Sequence, residues 1–244
     1  IPMNFKRVLL LLFICSTCLL AQSRPGVVTS RIVTSIDILG LGSVSKDSLP
    51  PITSYKSKLG RRANEQDVYD DLNHLYLTGY FKKVDVYSNV ASQSMGLEFI
   101  VKENSIINSI IISGNVSLKA TSIKAMLQSK PQQVLNTKHL AEDKLKIERY
   151  YSDNGFTLTS IDSIFLDSNR NLVITIVEGY VGDIHLNGLK KPLSSSLFTR
   201  DFATKKGASF NSISIRRDRE RLLKSGYFSD VSSPRFPPNP DSPD

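Results

Sequence analysis

The side chains able to do chemistry are few and scattered. The chain has three histidines, His74, His139 and His185. No two of them share the spacing of metal ligands, and no H-E-x-x-H occurs. The acidic neighbours Asp70 and Asp71 are adjacent on a helical stretch, so they point to different faces and cannot work as a paired acid and base. "GLGSV" at 40–44 looks like a glycine-rich loop but lacks the later glycine of a phosphate or dinucleotide cradle, and no G-x-S-x-G or P-loop is present. The densest charge cluster, "RRDRERLLK" at 216–224, alternates acids with bases. Arg217 and Arg221 are four apart and are offset by Asp218 and Glu220, the pattern of a solvated helix face rather than a nucleic-acid site. The expectation is a protein with no catalytic residues, no metal and no cofactor, and no nucleic-acid partner.

Composition sets the class. The chain has 244 residues, 40% hydrophobic and 22% charged, enough to bury a core. Its start reads as a secretory signal: basic Lys6 and Arg7, an apolar run from Val8 to Leu20, then Ala21-Gln22-Ser23. The run is short of the roughly 20 residues of a spanning helix, which favours a cleaved signal over residues 1–23 against a retained anchor. Cys15 and Cys18, the two cysteines, fall inside it, so the mature chain is expected to be soluble and free of disulfides. Loss of Lys6 and Arg7 lowers the formal charge by two, from +8 to +6.

These residues must be positioned by a repeat. Glycines close three short apolar runs, "SIDILGLG", "SIIISGNV" and "DIHLNGLK", at Gly40, Gly114 and Gly188. Glycines also close three helical segments at Gly79, Gly155 and Gly226. Both series repeat at about 75 residues. Each copy reads as β-α-α-β-β. The first strands are Ile32 to Leu39, Ile106 to Ser113 and Tyr180 to Asn187. The first helix is expected after Pro50-Pro51, over Leu118 to Gln128, and from Ser194 to Thr204. The second helix starts at Asn64, Asn136 and Asn211, each an N-cap, with Asp67 at the capping-box position in the first copy. Val68, Leu72, Leu75 and Tyr76 form its apolar stripe. Asn to Gly is 15, 19 and 15 residues, so the middle helix carries about one extra turn. Gly79, Gly155 and Gly226 are helix stops, and Tyr80, Phe156 and Tyr227 can pack back on the last turn. The closing strands are Phe81 to Tyr87 with Leu97 to Val101, and Phe156 to Leu166 with Leu172 to Val177, the latter pair joined by a "DSNRN" hairpin.

The strand ends, the "TGYFKKVDV" and "SGYFSDVS" joints, and the "VKENSIINSIIISGN" and "VEGYVGDIHLNG" junctions, where Glu103 and Glu178 close one copy before the next, resemble the POTRA (polypeptide-transport-associated) repeat. Three copies behind a signal look like the periplasmic arm of the outer-membrane barrel-assembly and translocation porin superfamily, whose best-known member is the barrel subunit of the BAM complex. The resemblance implies an α+β fold of tandem modules, each a three-stranded mixed sheet in the order 1-3-2 with two helices on one face. The copies span 31–104, 105–179 and 180–233. The third is incomplete: its last strand is missing, because five prolines crowd the final eleven residues, and 234–244 reads as a disordered tail. The resemblance also implies partners: unfolded outer-membrane protein segments, accessory assembly lipoproteins, and the chain's own C-terminal membrane barrel.

What remains for function is the backbone of open edge strands, which can pair with any extended peptide. The candidates are Lys82, Lys83, Val84, Asp85, Val86 and Tyr87; Leu158, Ile161, Ile164 and Phe165; and Phe228 and Val231. Lys82 and Lys83 read as gatekeepers against uncontrolled pairing, with attraction of acidic clients as the second reading. The expected function is a client-binding arm of an outer-membrane assembly or translocation factor, acting by β-augmentation on the periplasmic side. The alternative is a POTRA scaffold held at the inner membrane by an uncleaved signal, as in cell-division proteins.

Overall fold

A computed structural model describes residues 31–91, 94–186 and 194–232. The expected signal, the strand-closing Gly188 and the proline-rich tail lie outside these residues. The chain divides into two compact units. Among the described residues, one holds 31–76 together with Lys82–Lys102, and the other holds Leu77–Phe81 together with those from Glu103 to 232.

In the first unit, β1 (Ile32–Leu39) is followed by two short 3-10 turns at Lys46–Ser48 and Ile52–Ser54, then α1 (Glu65–Tyr76), β2 (Phe81–Ala91) and β3 (Ser94–Glu103). Its sheet order is β1-β3-β2, with β1 parallel to β3. In the second unit, β4 (Ile110–Ser113), α2 (Ala120–Met126), α3 (Thr137–Asp153), β5 (Thr159–Leu166) and β6 (Leu172–Glu178) repeat the plan as β4-β6-β5. There β4 is parallel and β5 antiparallel to β6. The third copy contributes α4 (Ser195–Thr199) and α5 (Ser212–Lys224). This is the expected α+β architecture.

The cores follow from residue pattern. In the central strand β3, Met95, Leu97, Phe99 and Val101 alternate inward and are buried. Val68, Leu72 and Leu75 of α1 are buried too, while Tyr76, expected in the same stripe, is 46% exposed. In the second unit Ile123, Leu127, Ile147 and Tyr151 from the helices meet Leu172, Ile174 and Ile176 of β6 in one cluster. Asn136 and Asn211 cap their helices as expected, each accepting from the second and third backbone N–H. Asn64 accepts from Gln66 N–H at the start of α1. The hairpin turn is set by Asp167, which accepts the N–H groups of Asn169 and Asn171 at 2.8 Å.

Two expectations are corrected. The first copy has no α-helix after Pro50-Pro51, only the 3-10 turn at Ile52–Ser54. The third copy has no ladder strand among its described residues: Tyr180 makes one bridge to Ser209, and 181–186 and 228–232 are irregular. The strand order explains this. β1 and β4 each pair with the third strand of their copy, and the third copy has none among its described residues to pair with.

A second set of equivalences was hidden in the sequence. Asp71, Asp143 and Asp218 are buried on the second helix of each copy, at 1%, 1% and 3% exposure. Each accepts two consecutive backbone N–H groups from the loop before that helix. Asp71 takes Lys56 at 2.6 Å and Ser57 at 2.8 Å. Asp143 takes Gln128 at 2.6 Å and Ser129 at 2.9 Å. Asp218 takes Ala203 and Thr204, both at 2.8 Å. Two charge-assisted bonds from the backbone offset the cost of burying the carboxylate. The next residue in each loop is a lysine. Lys58, Lys130 and Lys205 each return their ammonium to a carbonyl five residues back: Thr53, Ala125 and Arg200.

Three residues after the hydroxyl residue of each loop, the backbone turns left-handed, at Gly60 (φ 77°), Gln132 (φ 64°) and Gly207 (φ 79°). The N–H groups there reach back to Val33, Ile107 and Val181. Gln132 takes a conformation that disfavours a Cβ.

Asp143→Ala leaves two loop N–H groups without their acceptor, and the urea midpoint should fall by an amount worth about 2–4 kcal/mol. Gln132→Gly should move it the other way, by about 0.5–1 kcal/mol, since relief of the left-handed strain exceeds the added chain entropy. An unchanged or lower midpoint for Gln132→Gly would refute the strain.

Candidate functional site

The expected binding edges are set by strand order. β2 and β5 are edge strands of their sheets, each paired on one side by the central strand, with β1 and β4 at the opposite edges. On β2, Val84 and Val86 are buried against the core, whereas Lys82, Lys83 and Tyr87 are exposed and Asp85 is half-buried. Lys83 and Asp85, two apart and hence on one face, pair at 2.7 Å. The hydrogen bond from Lys83 to the Asp85 carboxylate holds the ammonium above its ordinary pKa. On β5, Ile161 is buried, Ile164 half-buried and Phe165 exposed. The pairing of β5 with β6 shifts register between Ile161 and Ser163, a bulge on the open edge.

Leu158 is not part of this edge. It lies in the turn before β5, where its carbonyl accepts Gly179 N–H at 2.8 Å. Phe228 and Val231 are not on a strand either. The Phe228 ring packs edge-on against Phe198 at 5.1 Å, and the Val231 carbonyl accepts from Arg219. Among the described residues no cluster of His, Cys, Asp or Glu could hold a metal ion. His74 and His139 instead approach aromatic rings, Tyr55 and Tyr80, at 6.3 and 6.2 Å between centroids.

The helix-stop glycines do more than end helices. Gly79 (φ 85°) and Gly155 (φ 89°) each lie beneath the cap asparagine of the next second helix. A Cβ added at Gly79 would strike Asn136 Oδ1, and one at Gly155 would strike Asn211 Oδ1. The amide of Asn136 donates to the Thr78 carbonyl at 2.9 Å, and that of Asn211 to the Asn154 carbonyl at 2.8 Å. The following residue donates its N–H to the glycine carbonyl: Thr137 to Gly79 at 2.9 Å, Ser212 to Gly155 at 2.8 Å. Its hydroxyl reaches the same oxygen, at 3.4 Å from Thr137 and 3.1 Å from Ser212. One asparagine thus caps its own helix with the oxygen and clasps a preceding helix end with the nitrogen.

Glu178 reinforces the later joint. It is 2% exposed and accepts from Ser117 N–H at 3.0 Å, Ser117 Oγ at 2.5 Å, Ser209 Oγ at 2.6 Å and Tyr151 OH at 3.1 Å. Burial pushes its pKa up, but the bonds from Ser117, Ser209 and Tyr151 together outweigh that and hold it below the ordinary value. Burial and the adjacent Glu178 charge push the Tyr151 hydroxyl well up.

Sequence reasoning missed the aspartates and the clasps. The signal was there: Ser or Thr followed by Lys, then Asn seven residues on and Asp fourteen on, at 57, 58, 64 and 71, at 129, 130, 136 and 143, and at 204, 205, 211 and 218.

With this geometry in view, comparison with known proteins gives a consistent result. The family model described as "POTRA: Surface antigen variable number repeat" matches residues 105–179 and 180–244, more than half the chain. The chain is 27% identical over 128 residues to an outer membrane protein assembly factor BamA of Nitratidesulfovibrio vulgaris, covering 50% of this chain and 16% of that protein. It is 22% identical over 176 residues to the chloroplastic outer envelope protein 80 of Oryza sativa subsp. japonica, covering 68% of this chain and 26% of that protein. Among solved structures, the N-terminal domain of Omp85 from Thermosynechococcus elongatus superposes with a TM-score of 0.67 at 18% identity, covering 82% of this chain and 88% of that one. POTRA1-3 of the periplasmic domain of Omp85 from Anabaena gives 0.58 at 18% identity, covering 84% and 88%. At such identity the structural likeness is one of fold.

Because the folded pKa of Glu178 is depressed, its contribution is full above the unfolded carboxyl pKa and is lost as pH falls through the folded one. Glu178→Gln should be less stable than the parent at about pH 7, and its urea midpoint should drop less on going from about pH 5 to about pH 3. Equal drops in the two chains would exclude the role given to Glu178.

Proposed function

The chain belongs to the POTRA family, and on that premise we propose that it is the periplasmic arm of an outer-membrane protein assembly or translocation factor, one that binds extended polypeptides by adding a strand to β2 or β5. The observation that supports this reading is strand order: in both three-stranded sheets the second strand is an edge strand, paired on one side by the central strand, as the first strand is at the other edge. Such an edge presents backbone donors and acceptors with little regard for side-chain sequence, which suits a receptor for many unfolded segments. Unfolded outer-membrane protein segments are the natural clients. Accessory lipoproteins and a membrane barrel attached to the arm are the natural partners.

The edges are also guarded. The Lys83–Asp85 pair places charge on β2, and the bulge between Ile161 and Ser163 interrupts β5, so that neither edge is a long flat template for self-pairing. This favours the gatekeeper reading of Lys82 and Lys83. The apolar side chains exposed at the edges, Tyr87 and Phe165, offer the contacts that would add to main-chain pairing.

Ordering a flexible peptide offsets much of the contact energy, so binding should be weak, with Kd on the order of micromolar or above. Titration of an extended outer-membrane strand peptide into the labelled chain should shift the backbone amides of Val84 to Tyr87 and Ile161 to Phe165. Silence there, with shifts confined to the helices, would overturn strand addition.

A further inference from the structure

The joint between the second and third copies carries a chemically reactive pair. Asn154-Gly155 ends α3, whereas the residues before the other helix-stop glycines are Thr78 and Ser225. A side-chain amide followed by glycine can close on itself, because the glycine nitrogen has no adjoining Cβ to hinder its approach. The chain's other Asn-Gly pair, at 187–188, lies outside the described residues.

The fold holds this pair out of reaction. Ring closure needs the Gly155 nitrogen against the side-chain carbonyl carbon of Asn154, which lies beyond Cβ. At ψ 7° the Gly155 nitrogen eclipses the Asn154 backbone nitrogen instead. Turning it means rotating the whole peptide group that joins the two residues. That group is gripped at both ends. Its N–H donates to the Ser152 carbonyl at 2.9 Å, and its carbonyl accepts the Asn211 amide at 2.8 Å. The Asn154 side chain is held too, its amide donating to the Tyr150 carbonyl at 2.8 Å. Asn154 is exposed, so water reaches it and geometry alone withholds the reaction. One of the grips, Asn211, belongs to the third copy.

We propose that Asn154-Gly155 is a site of spontaneous deamidation that is shut while the third copy clasps the second and becomes reactive when this joint opens. The Gly155 nitrogen gives its proton to a solvent base and forms a bond to Asn154 Cγ. The Cγ–Nδ2 bond breaks, and Nδ2 takes up a proton and leaves as ammonia. Water then opens the succinimide ring. Cleavage between the nitrogen and Cγ yields an aspartyl link, and cleavage between the nitrogen and the former main-chain carbonyl carbon yields an isoaspartyl link. The isoaspartyl link routes the main chain through Cβ and Cγ, and leaves the carbonyl that Asn211 gripped as a free carboxylate on a side branch. The Gly155 carbonyl is thereby displaced from the N–H and hydroxyl of Ser212, which reach it at 2.8 and 3.1 Å. The joint then cannot reclose as before, so an opening leaves a covalent mark. Strand addition plays no part in this, and failure of the edge-strand reading leaves it standing.

The test incubates the full chain in mildly alkaline buffer and maps its peptides, which separates Asn154 from Asn187. The isoaspartyl product at Asn154 should form at least about tenfold more slowly in the folded chain than in the chain unfolded in urea, since only the opened joint reacts. Asn211→Asp keeps a cap oxygen for α5 but has no N–H to donate. It should speed the folded chain about two- to tenfold, the effect of one lost hydrogen bond, and leave the rate in urea unchanged. Asn154→Thr, matching Thr78 of the first joint, should abolish the product at that position. In the purified isoaspartyl chain the Ser212 amide should exchange with solvent faster than in the parent. Equal rates in the folded and unfolded parent would overturn the gating. A folded Asn211→Asp chain no faster than the parent would remove the third copy from the gate. A Ser212 amide equally protected in the isoaspartyl chain would overturn the lasting effect on the joint.

Discussion

The repeat is organised around one buried carboxylate. Asp71, Asp143 and Asp218 each hold two successive loop N–H groups, and the register of everything upstream follows from that grip. The loop is fixed against the second helix, so its left-handed residue falls where it can reach the first strand segment. The short bridges Ile32–Arg62, Ile106–Val134 and Tyr180–Ser209 then bring the chain to the cap asparagine in the same way each time. In the third copy this framework persists with no ladder strand among the described residues. The sheet is therefore not what sets the loop.

Much of the plan was legible in the residues. The 74-residue spacing of the strand-end glycines, the cap asparagines and the β-branched runs placed the repeats and their helices and strands, while the strand order, and with it the edges, came from the resemblance to POTRA repeats. Burial was less legible. Asp70 and Asp71, adjacent on α1, face different ways as their spacing dictates, yet only the structure shows what each does: Asp70 meets the Lys56 ammonium at 2.6 Å, while Asp71 turns inward to backbone. A carboxylate bound to main-chain N–H has no complementary side chain to betray it. Gln132 was concealed for a related reason, since a left-handed turn usually announces itself with glycine. Tyr76 fell outside the core because its place in the heptad-like pattern said nothing of where the helix ends. Phe228 and Val231 failed as strand residues because β pairing needs a partner that local sequence cannot supply.

The joints show why the apparent helix-stop motif is a poor guide to module boundaries. The stretch Leu77–Phe81 follows α1 in sequence but belongs to the second compact unit, where Asn104 and Asn136 hold its carbonyls. The Gly155 joint has the same chemistry, with Glu178 tying Tyr151 to Ser209 beside it. A glycine is required there both for its backbone conformation and because the clasping asparagine leaves no room for a Cβ.

The aspartate grip touches only main chain on the far side. No side chain between the first strand and the loop is specified by it. That segment has accordingly drifted: two 3-10 turns in the first copy, a seven-residue α-helix in the second, and five residues in the third. Its exposed positions meet little resistance to substitution so long as the two N–H groups can still be presented, whereas Tyr55, Ile123, Leu127 and Phe202 are buried and tie the segment to the core. The contact that anchors each repeat thus leaves the backbone form of its neighbouring segment free to be recast, provided its few buried side chains still reach the core.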